Sequence, residues 1–409
     1  MNTSATVRAG KTTRELRPFD DATRIFGTRR ACAGFISGRT DGLAYGGARK
    51  SPKLSGGGWK RTAIWGIPED HGMTTRLAFL QLVATAAAIR TLVAPAPASQ
   101  GIDESGFVDI GGIDQWVAIQ GDDVGNPAIL YLHGGPAEAQ SPFLAEFKPC
   151  EHDYTVVNWD QRGSGKTFER NVTSTPDVTV ERMTQDAIEV ADYARGRLKK
   201  SKIVLVGQSW GCILGLHAVL RRPDIFAAYV GTGQPVAWEL SLAAREAFAR
   251  RQMEAAGDTA AIRALDAVTS LPATDFKRMA ASNKWRWAPS DRDYLSIQGT
   301  FIGPDPDKAT GAAAAWIAGA NFSGPKLWPA ITAFDARTLA AQGFQVPVFV
   351  IQGREDHIVS FDAAKAFVEA LKAPTKAFVP IDGGHFACFT YPNQFTAALN
   401  EYVRPLTRP

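Results

Sequence analysis

The sequence has few of the residues that bind metals or form disulfides. Its 409 residues include four cysteines, none in a C-x-x-C pair and none with a histidine at metal-ligand spacing. We therefore expect no structural zinc, no other metal site and no cofactor. Cys212 and Cys388 lie in apolar stretches and are interpreted as buried thiols; the other two cysteines are Cys32 and Cys150.

The sequence also lacks a basic stripe interleaved with aromatic residues, so we expect no nucleic-acid partner. The formal net charge of +4 is unevenly distributed. Residues 1–72 carry 13 Lys and Arg against 6 Asp and Glu, which leaves the remaining residues with a net charge of −3. A hydrophobic content of 45% and a charged content of 21% are ordinary for a soluble globular protein.

The first 98 residues differ from the rest. Residues 1–72 are rich in Gly, Arg, Ser and Thr without a sustained apolar period. This predicts an extension that is disordered or not native to the mature protein. Residues 73–98 have a short basic start, a mostly apolar run and an Ala-Pro-Ala end, which is the order of a secretory signal peptide. An amphipathic or buried helix is the alternative interpretation.

The signal-peptide interpretation has consequences for localisation. It implies that translation starts at Met73 and that the mature protein, beginning near Ser99, is periplasmic or secreted. Without it, the protein is expected to be cytoplasmic. The apolar run is too short to span a bilayer comfortably, so we expect no stable membrane insertion.

From residue 99 onward, apolar strands alternate with helices. A hairpin over residues 106–120, turned at Gly111 and Gly112, comes first. Buried strands are then predicted at residues 128–132, 154–159, 203–206, 227–230, 346–351 and 377–381. Strands that are apolar throughout and alternate with helices predict an α/β fold, with a mostly parallel sheet covered by helices on both faces.

The alternation stops between residues 236 and 340. This stretch is rich in alanine, helix-prone and dotted with aromatic residues. We interpret it as a helical cap inserted between two strands, over the carboxyl edge of the sheet. The core is then divided into a first part, residues 99–235, and a second part, residues 341–409.

The sequence G-Q-S-W-G at residues 207–211 follows a predicted strand and precedes a predicted helix. That context favours a nucleophile elbow, a sharp turn that lifts the hydroxyl of Ser209 clear of the sheet. Side chains two residues to either side would collide, which explains Gly207 and Gly211. The helix amino terminus that follows favours negative charge. Ser209 is therefore the candidate nucleophile.

A serine hydroxyl needs a base and an orienting acid before it can attack. His385 follows a predicted strand in the segment D-G-G-H and is the candidate base. Asp356 ends the first strand after the insertion and is the candidate acid, with its neighbour Glu355 as the alternative. The chain order Ser, Asp, His is the one seen in α/β-hydrolases.

The tetrahedral intermediate of such a reaction needs hydrogen-bond donors for its oxyanion. The backbone N–H of Trp210, directly after the nucleophile, is one candidate. The other is expected from the turn H-G-G-P at residues 133–136, most plausibly from Gly135. Gly134 would let the backbone approach the substrate.

Five segments together resemble the proline iminopeptidase family of α/β-hydrolases. They are H-G-G-P at 133–136, D-Q-R-G-S-G at 160–165, G-Q-S-W-G at 207–211, G-R-E-D at 353–356 and G-G-H at 383–385. The similarity covers residues 106–405. It implies the α/β-hydrolase fold and hydrolysis through an acyl-enzyme, with Ser209, Asp356 and His385 as the triad. It also implies that Asp160 and Arg162 support the site without reacting.

The sequence departs from the family at two places. Ala137 stands where the family usually continues H-G-G-P-G. Members of the family also resemble one another in a Trp-Glu pair of the cap, whose carboxylate binds the amine of the substrate. The comparable region of this sequence, around Trp316, lacks the acid. Trp238 and Glu239, at the start of the cap, are the candidate substrate-binding residues, with the role of Glu239 left open.

Three functions follow as hypotheses. The first is a proline iminopeptidase-like aminopeptidase that removes N-terminal residues from short peptides. The second is an esterase, lactonase or amidase that uses the same triad on a small apolar substrate. The third is a non-catalytic binding protein on a hydrolase fold, against which the complete triad argues.

Overall fold

A computed structural model describes residues 100–407. The predicted extension at residues 1–72 and the predicted signal peptide at residues 73–98 lie outside the described residues, as does Cys32.

The described residues form a sheet of eight strands in the order β1-β2-β4-β3-β5-β6-β7-β8. The first two strands pair antiparallel with each other, and β2 pairs antiparallel with β4; all the other pairs are parallel. The predicted α/β fold with a mostly parallel sheet is thereby confirmed. The strands are β1 Ile102–Ile110, β2 Ile113–Gly121, β3 Ala128–Leu132, β4 Thr155–Trp159, β5 Ile203–Gln208, β6 Phe226–Thr232, β7 Val348–Gly353 and β8 Lys376–Ile381.

Thirteen α-helices are described between residues 100 and 407, together with short 3-10 and π segments. None of these helices is both long and apolar enough to cross a membrane. They are α1 Lys148–Glu151, α2 Gly165–Asn171, α3 Val180–Leu198, α4 Trp210–Arg221, α5 Trp238–Ala255, α6 Thr259–Asp266, α7 Phe276–Ala281, α8 Pro289–Ile302, α9 Gly311–Ala333, α10 Ala336–Ala340, α11 Phe361–Ala370, α12 Ala387–Thr390 and α13 Pro392–Ala398.

The hairpin and the first long helix illustrate why the sequence folds as predicted. Gly111 and Gly112 have φ values of 59° and 74°, which glycine adopts without strain, and they turn β1 into β2. Thr179 caps α3 by accepting a hydrogen bond from the backbone N–H of Arg182 at 3.2 Å. Glu181 lies in the first turn, where the helix dipole favours an acid.

Apolar side chains pack against both faces of the sheet. Along β5, Leu205 belongs to the hydrophobic cluster on one face, whereas Val204 and Val206 belong to the cluster on the other. Both clusters include residues from the covering helices, such as Met183 of α3 and Phe395 of α13. Burying one such aliphatic side chain contributes about 1.5–3 kcal/mol. β3, which is buried along its whole length, is therefore apolar throughout because neither of its faces meets water.

The chain between β6 and β7 is helical and is called the insertion here, residues 236–340. Its two ends are joined: Ala237 forms a β-bridge with Asp335, and the Ala336 N–H donates to the Val236 carbonyl at 2.7 Å. Because the insertion starts and ends at one place, β6 and β7 remain hydrogen-bonded neighbours in the sheet.

Candidate active site

Ser209 lies on a strained turn between β5 and α4. Its φ of 50° and ψ of −114° are unfavourable for a residue with a side chain. A Cβ atom on Gly211 would lie 2.0 Å from the Leu132 carbonyl oxygen, and one on Gly207 would lie 2.7 Å from the Gly211 oxygen. Both glycines are therefore required for the tight turn, as expected from the sequence.

His385 and Asp356 are brought together by the turns that follow β8 and β7. The His385 Nδ1 lies 3.0 Å from Asp356 Oδ2 and 3.2 Å from Oδ1, and both side chains are buried. With Nδ1 donating to the carboxylate, Nε2 is left as the free acceptor that a general base needs. Glu355, the alternative acid, is exposed.

The Asp356 carboxylate is held by further hydrogen bonds. Its Oδ1 accepts from the N–H groups of Ile358 at 3.0 Å and Val359 at 3.1 Å. Its Oδ2 accepts from Gln352 Nε2 at 3.2 Å. These donors satisfy a buried charge and fix the direction in which the carboxylate faces His385.

Two opposing effects set the pKa of His385. Burial lowers it, but the charge of Asp356, its hydrogen bond, and the charges of Asp291 and Glu138 together outweigh burial, so that the pKa is raised above its ordinary value. An imidazolium formed during a reaction is therefore stabilised in this site.

The two candidate oxyanion donors belong to connected segments. Trp210 opens α4, where backbone N–H groups lack partners within the helix. Its indole N–H donates to Gln161 Oε1 at 2.9 Å, and Gln161 Nε2 donates to the His133 carbonyl at 2.9 Å. Gln161 thus links the Trp210 segment to the turn that carries Gly135, which has a φ of 116°.

Gly134 lies close to another part of the protein, and the approach of its backbone to the substrate stays a prediction. A Cβ atom at Gly134 would lie 2.0 Å from the Gln208 side-chain oxygen. His133, next to it, is buried, and burial lowers its pKa to about 4. It is therefore neutral near pH 7 and has a structural part in the turn.

Asp160 and Arg162 are both buried, and the supporting role that the resemblance implies for them stays a prediction. Asp160 Oδ1 accepts from the N–H groups of Gln140 and Ser141, each at 2.8 Å, and so anchors the chain that follows the 133–136 turn. Arg162 donates to Asp186 Oδ2 at 2.7 Å and to the Gly111 carbonyl at 2.9 Å. Neither side chain lines the cavity described next.

A cavity of about 250 Å³ lies between the core and the insertion. The core lines it with Ser209, Trp210, Gly135 and His385. Most of the wall is apolar, and the insertion contributes much of it, including Trp238, Phe276, Met279, Trp287, Ile302, Trp316, Trp328 and Ile331. Such a cavity suits a small molecule with an apolar body.

The two candidate substrate-binding residues are placed differently. Trp238 lines the cavity. Glu239 does not: its side chain is 58% exposed and pairs with Arg337 at 3.1 Å. A helix turns by about 100° per residue, so adjacent side chains point in different directions. The structure therefore places Trp238, but not Glu239, in the wall of the cavity that Ser209 also lines.

Four acidic or basic residues of the site were missed from the sequence. Glu138, Arg245 and Arg286 line the cavity. Asp291, at the start of α8, accepts hydrogen bonds from the N–H groups of His385 at 2.9 Å and Phe386 at 3.0 Å. Only Glu138 had a usable signal, since it follows the predicted oxyanion turn by two residues. The other three lie in the insertion without a recognisable motif.

Known proteins resemble this chain over most of its length. A probable aminopeptidase of Bacillus subtilis is 28% identical over 309 residues, covering 73% of this chain and 95% of that protein. Epoxide hydrolase A of Mycobacterium tuberculosis is 25% identical over 340 residues, covering 73% and 97%. The crystal structure of a proline iminopeptidase-related protein from Thermus thermophilus shares the fold, with a TM-score of 0.51, 22% identity and coverage of 75% and 99%.

A sequence profile identifies the family of this chain. The sequence profile described as alpha/beta hydrolase fold matches residues 127–392, which is more than half of the chain and contains Ser209, Asp356 and His385. The resemblance predicted from the five motifs is therefore confirmed. The chain belongs to the alpha/beta hydrolase fold family.

Proposed function

We propose that this protein is a serine hydrolase that works through an acyl-enzyme, with Ser209 as nucleophile, His385 as base and Asp356 as orienting acid. The observation that carries the proposal is the buried hydrogen bond of 3.0 Å between His385 Nδ1 and Asp356, beside a strained Ser209 in the same cavity. Ser209 also argues against the chemistry of epoxide hydrolases, which use an aspartate nucleophile.

The reaction follows from these positions. The Ser209 oxygen attacks the substrate carbonyl while His385 Nε2 takes the hydroxyl proton. The backbone N–H groups of Trp210 and Gly135 bind the oxyanion of the tetrahedral intermediate. The carbon–leaving-group bond then breaks, and the imidazolium gives its proton to the departing amine or alcohol. Water, deprotonated by the same imidazole, attacks the acyl-enzyme, and Ser209 recovers its proton.

The substrate that we propose is a short peptide, from which the enzyme removes the N-terminal residue. The B. subtilis relative is named a probable aminopeptidase, and the cavity holds a carboxylate suited to an α-ammonium group. That carboxylate is Glu138. Burial raises its pKa to about 7, while the charge of His385 opposes the rise. A bound ammonium would stabilise the charged form further, because an unpaired buried charge costs several kcal/mol.

A second candidate is an esterase or amidase acting on a small apolar substrate. The aromatic and aliphatic wall of the cavity favours it. The two candidates share the acyl-enzyme chemistry and differ in whether the substrate carries a free amine.

A fluorophosphonate probe tests the shared chemistry. We expect one label per protein, lost in Ser209→Ala and retained in Ser241→Ala, which removes another hydroxyl from the same cavity. Turnover of aminoacyl amides and of chromogenic esters by the wild type then separates the two candidates. Undiminished labelling and turnover in Ser209→Ala would contradict the proposal.

A further inference from the structure

Two arginines of the insertion lie in the wall of the cavity. Arg245, on α5, is 5% exposed, and Arg286, between α7 and α8, is 1% exposed. Arginine is rarely buried unless it is paired. Arg245, two of whose donor atoms have no partner among residues 100–407, therefore points to a negatively charged occupant.

Arg245 carries most of the argument. Its Nη2 donates to the Ile358 carbonyl at 3.2 Å. Within residues 100–407, its Nε and Nη1 have no hydrogen-bond partner although both atoms are buried. Its guanidinium lies 5.3 Å from the centre of the Trp238 ring, which also lines the cavity. Two donors of this group are thus free to bind a ligand that enters the cavity.

Arg286 adds a second positive charge to the same wall. Its guanidinium lies 4.6 Å from the centre of the Trp287 ring. Burial, and then the charge of Arg245, lowers the pKa of Arg286 well below its ordinary value, so each guanidinium is within electrostatic reach of the other. An anion bound between them would relieve this repulsion.

We propose that Arg245 and Arg286 bind a carboxylate of the substrate. Guanidinium groups match the planar geometry of a carboxylate and bind it through paired hydrogen bonds. This inference rests on the proposed function and narrows its substrate class to short peptides or acyl compounds that carry a free carboxylate. With Glu138 near His385, the cavity then complements a zwitterion such as a dipeptide.

A purely structural part for Arg245 is the competing explanation. Its carbonyl partner belongs to Ile358, whose N–H binds Asp356. If Arg245 only held this turn, its replacement would slow all substrates by the same factor. A carboxylate site instead changes the preference between charged and uncharged substrates, so the ratio of kcat/KM values distinguishes the two explanations.

The wild-type enzyme provides the first test. Alanyl-alanine is compared with its C-terminal amide, and with alanyl-aspartic acid amide, whose only carboxylate is in the side chain. We expect kcat/KM for the free acid to exceed that for the alanyl-alanine amide by about tenfold or more. A high kcat/KM for alanyl-aspartic acid amide would show that the site binds a side-chain carboxylate. A low kcat/KM for this compound would show that the site binds the C-terminal carboxylate. Equal values for all three would overturn the inference.

Variants provide the second test. Arg245→Met is expected to bring the acid-to-amide ratio close to one, and Arg245→Lys to retain part of it. Arg286→Met should act in the same direction, which keeps the test usable if one variant does not fold. The control is Arg250→Met, on the same helix but partly exposed and paired with Asp266, which should leave the ratio unchanged. An unchanged ratio in both cavity variants would contradict the site.

Failure of the inference can be told from failure of the proposed function. If Ser209 is labelled by the fluorophosphonate but the free acid has no advantage, the hydrolase stands and the carboxylate site does not. Calorimetric binding of the free acid and the amide to Ser209→Ala measures the site without turnover. Stronger binding of the free acid there would support the site even if Ser209 were not the nucleophile.

Discussion

The core and the insertion contribute different parts of the site. The core provides Ser209, Asp356 and His385 from the turns after three parallel strands of the sheet, β5, β7 and β8. The insertion provides most of the apolar wall and both arginines that line the cavity. In our account, the core determines which bond is broken and the insertion determines which molecule reaches it.

The largest effect should follow from changes in the core. His385→Ala and Asp356→Asn should each lower kcat by about three to four orders of magnitude for every substrate. Combining either with Ser209→Ala should cost little more, because the three residues act as a unit. Steady-state kinetics on one amide and one ester measures this. If the losses in kcat multiplied in the double variants, or differed between the amide and the ester, the core would not act as one catalytic unit that serves every substrate.

Asp291 joins the two regions and should have the next largest effect. Asp291→Ala leaves the N–H groups of His385 and Phe386 without their acceptor, which should cost about 2–3 kcal/mol of unfolding free energy. Because the charge of Asp291 also raises the pKa of His385, its loss should move the acidic limb of the activity profile to lower pH. Asp293→Ala, exposed on the same helix, is the control. If the acidic limb of the pH–activity profile did not move, the role of Asp291 would be structural only.

Glu138, in the core, and Glu239, in the insertion, can be compared as candidate partners of the substrate amine. Glu138→Gln should raise KM for substrates with a free amine by about tenfold, because a charge-assisted hydrogen bond is lost, and should change uncharged esters little. Glu239→Gln should change neither, since that side chain is exposed and paired with Arg337. Equal effects of Glu138→Gln on amines and esters would favour the esterase candidate.

The pH dependence of the wild type should show the environment of His385. A free imidazole has a pKa of about 6.5. The pKa of His385 is raised, and the base acts only when neutral, so activity on an uncharged ester should fall with a midpoint above that value as pH decreases. A midpoint clearly below it would show that burial outweighs the charge of Asp356.

The smallest expected effect lies directly after the turn at residues 133–136. Ala137 has a φ of 67°, a conformation that glycine adopts more readily. Ala137→Gly should therefore raise the free energy of unfolding by up to about 1 kcal/mol, measured by denaturant titration. A decrease would show that the entropy of the unfolded chain outweighs the strain in the turn.

The two regions also differ in how far the sequence predicted them. The core follows local rules: apolar runs give buried strands, and Gly207 and Gly211 flank a turn that only glycines fit. Ser209, Asp356 and His385 were each predicted at the end of a strand, and their order along the chain is the one seen in α/β-hydrolases. The apolar runs and the flanking glycines are local patterns, so they can be recognised in a single sequence.

The insertion follows no such rule. Glu239 was a reasonable candidate because it lies beside Trp238, yet the helix turns it outward to Arg337. Arg245 and Arg286 reach the cavity only through the packing of several helices, and charged residues in a helical stretch are usually solvated. A single sequence therefore does not predict those site residues that only tertiary packing brings together.

Trapping of the acyl-enzyme tests the central claim most directly. A chromogenic ester is mixed with excess enzyme, quenched in acid within the first turnover, and the protein is digested for mass spectrometry. We expect the mass of one acyl group on the peptide that contains Ser209, accumulating as the chromophore is released, and no adduct in Ser209→Ala. The account would be contradicted by an acyl group on another residue. It would also be contradicted if the wild type and Ser209→Ala both turned the ester over fully without forming any adduct.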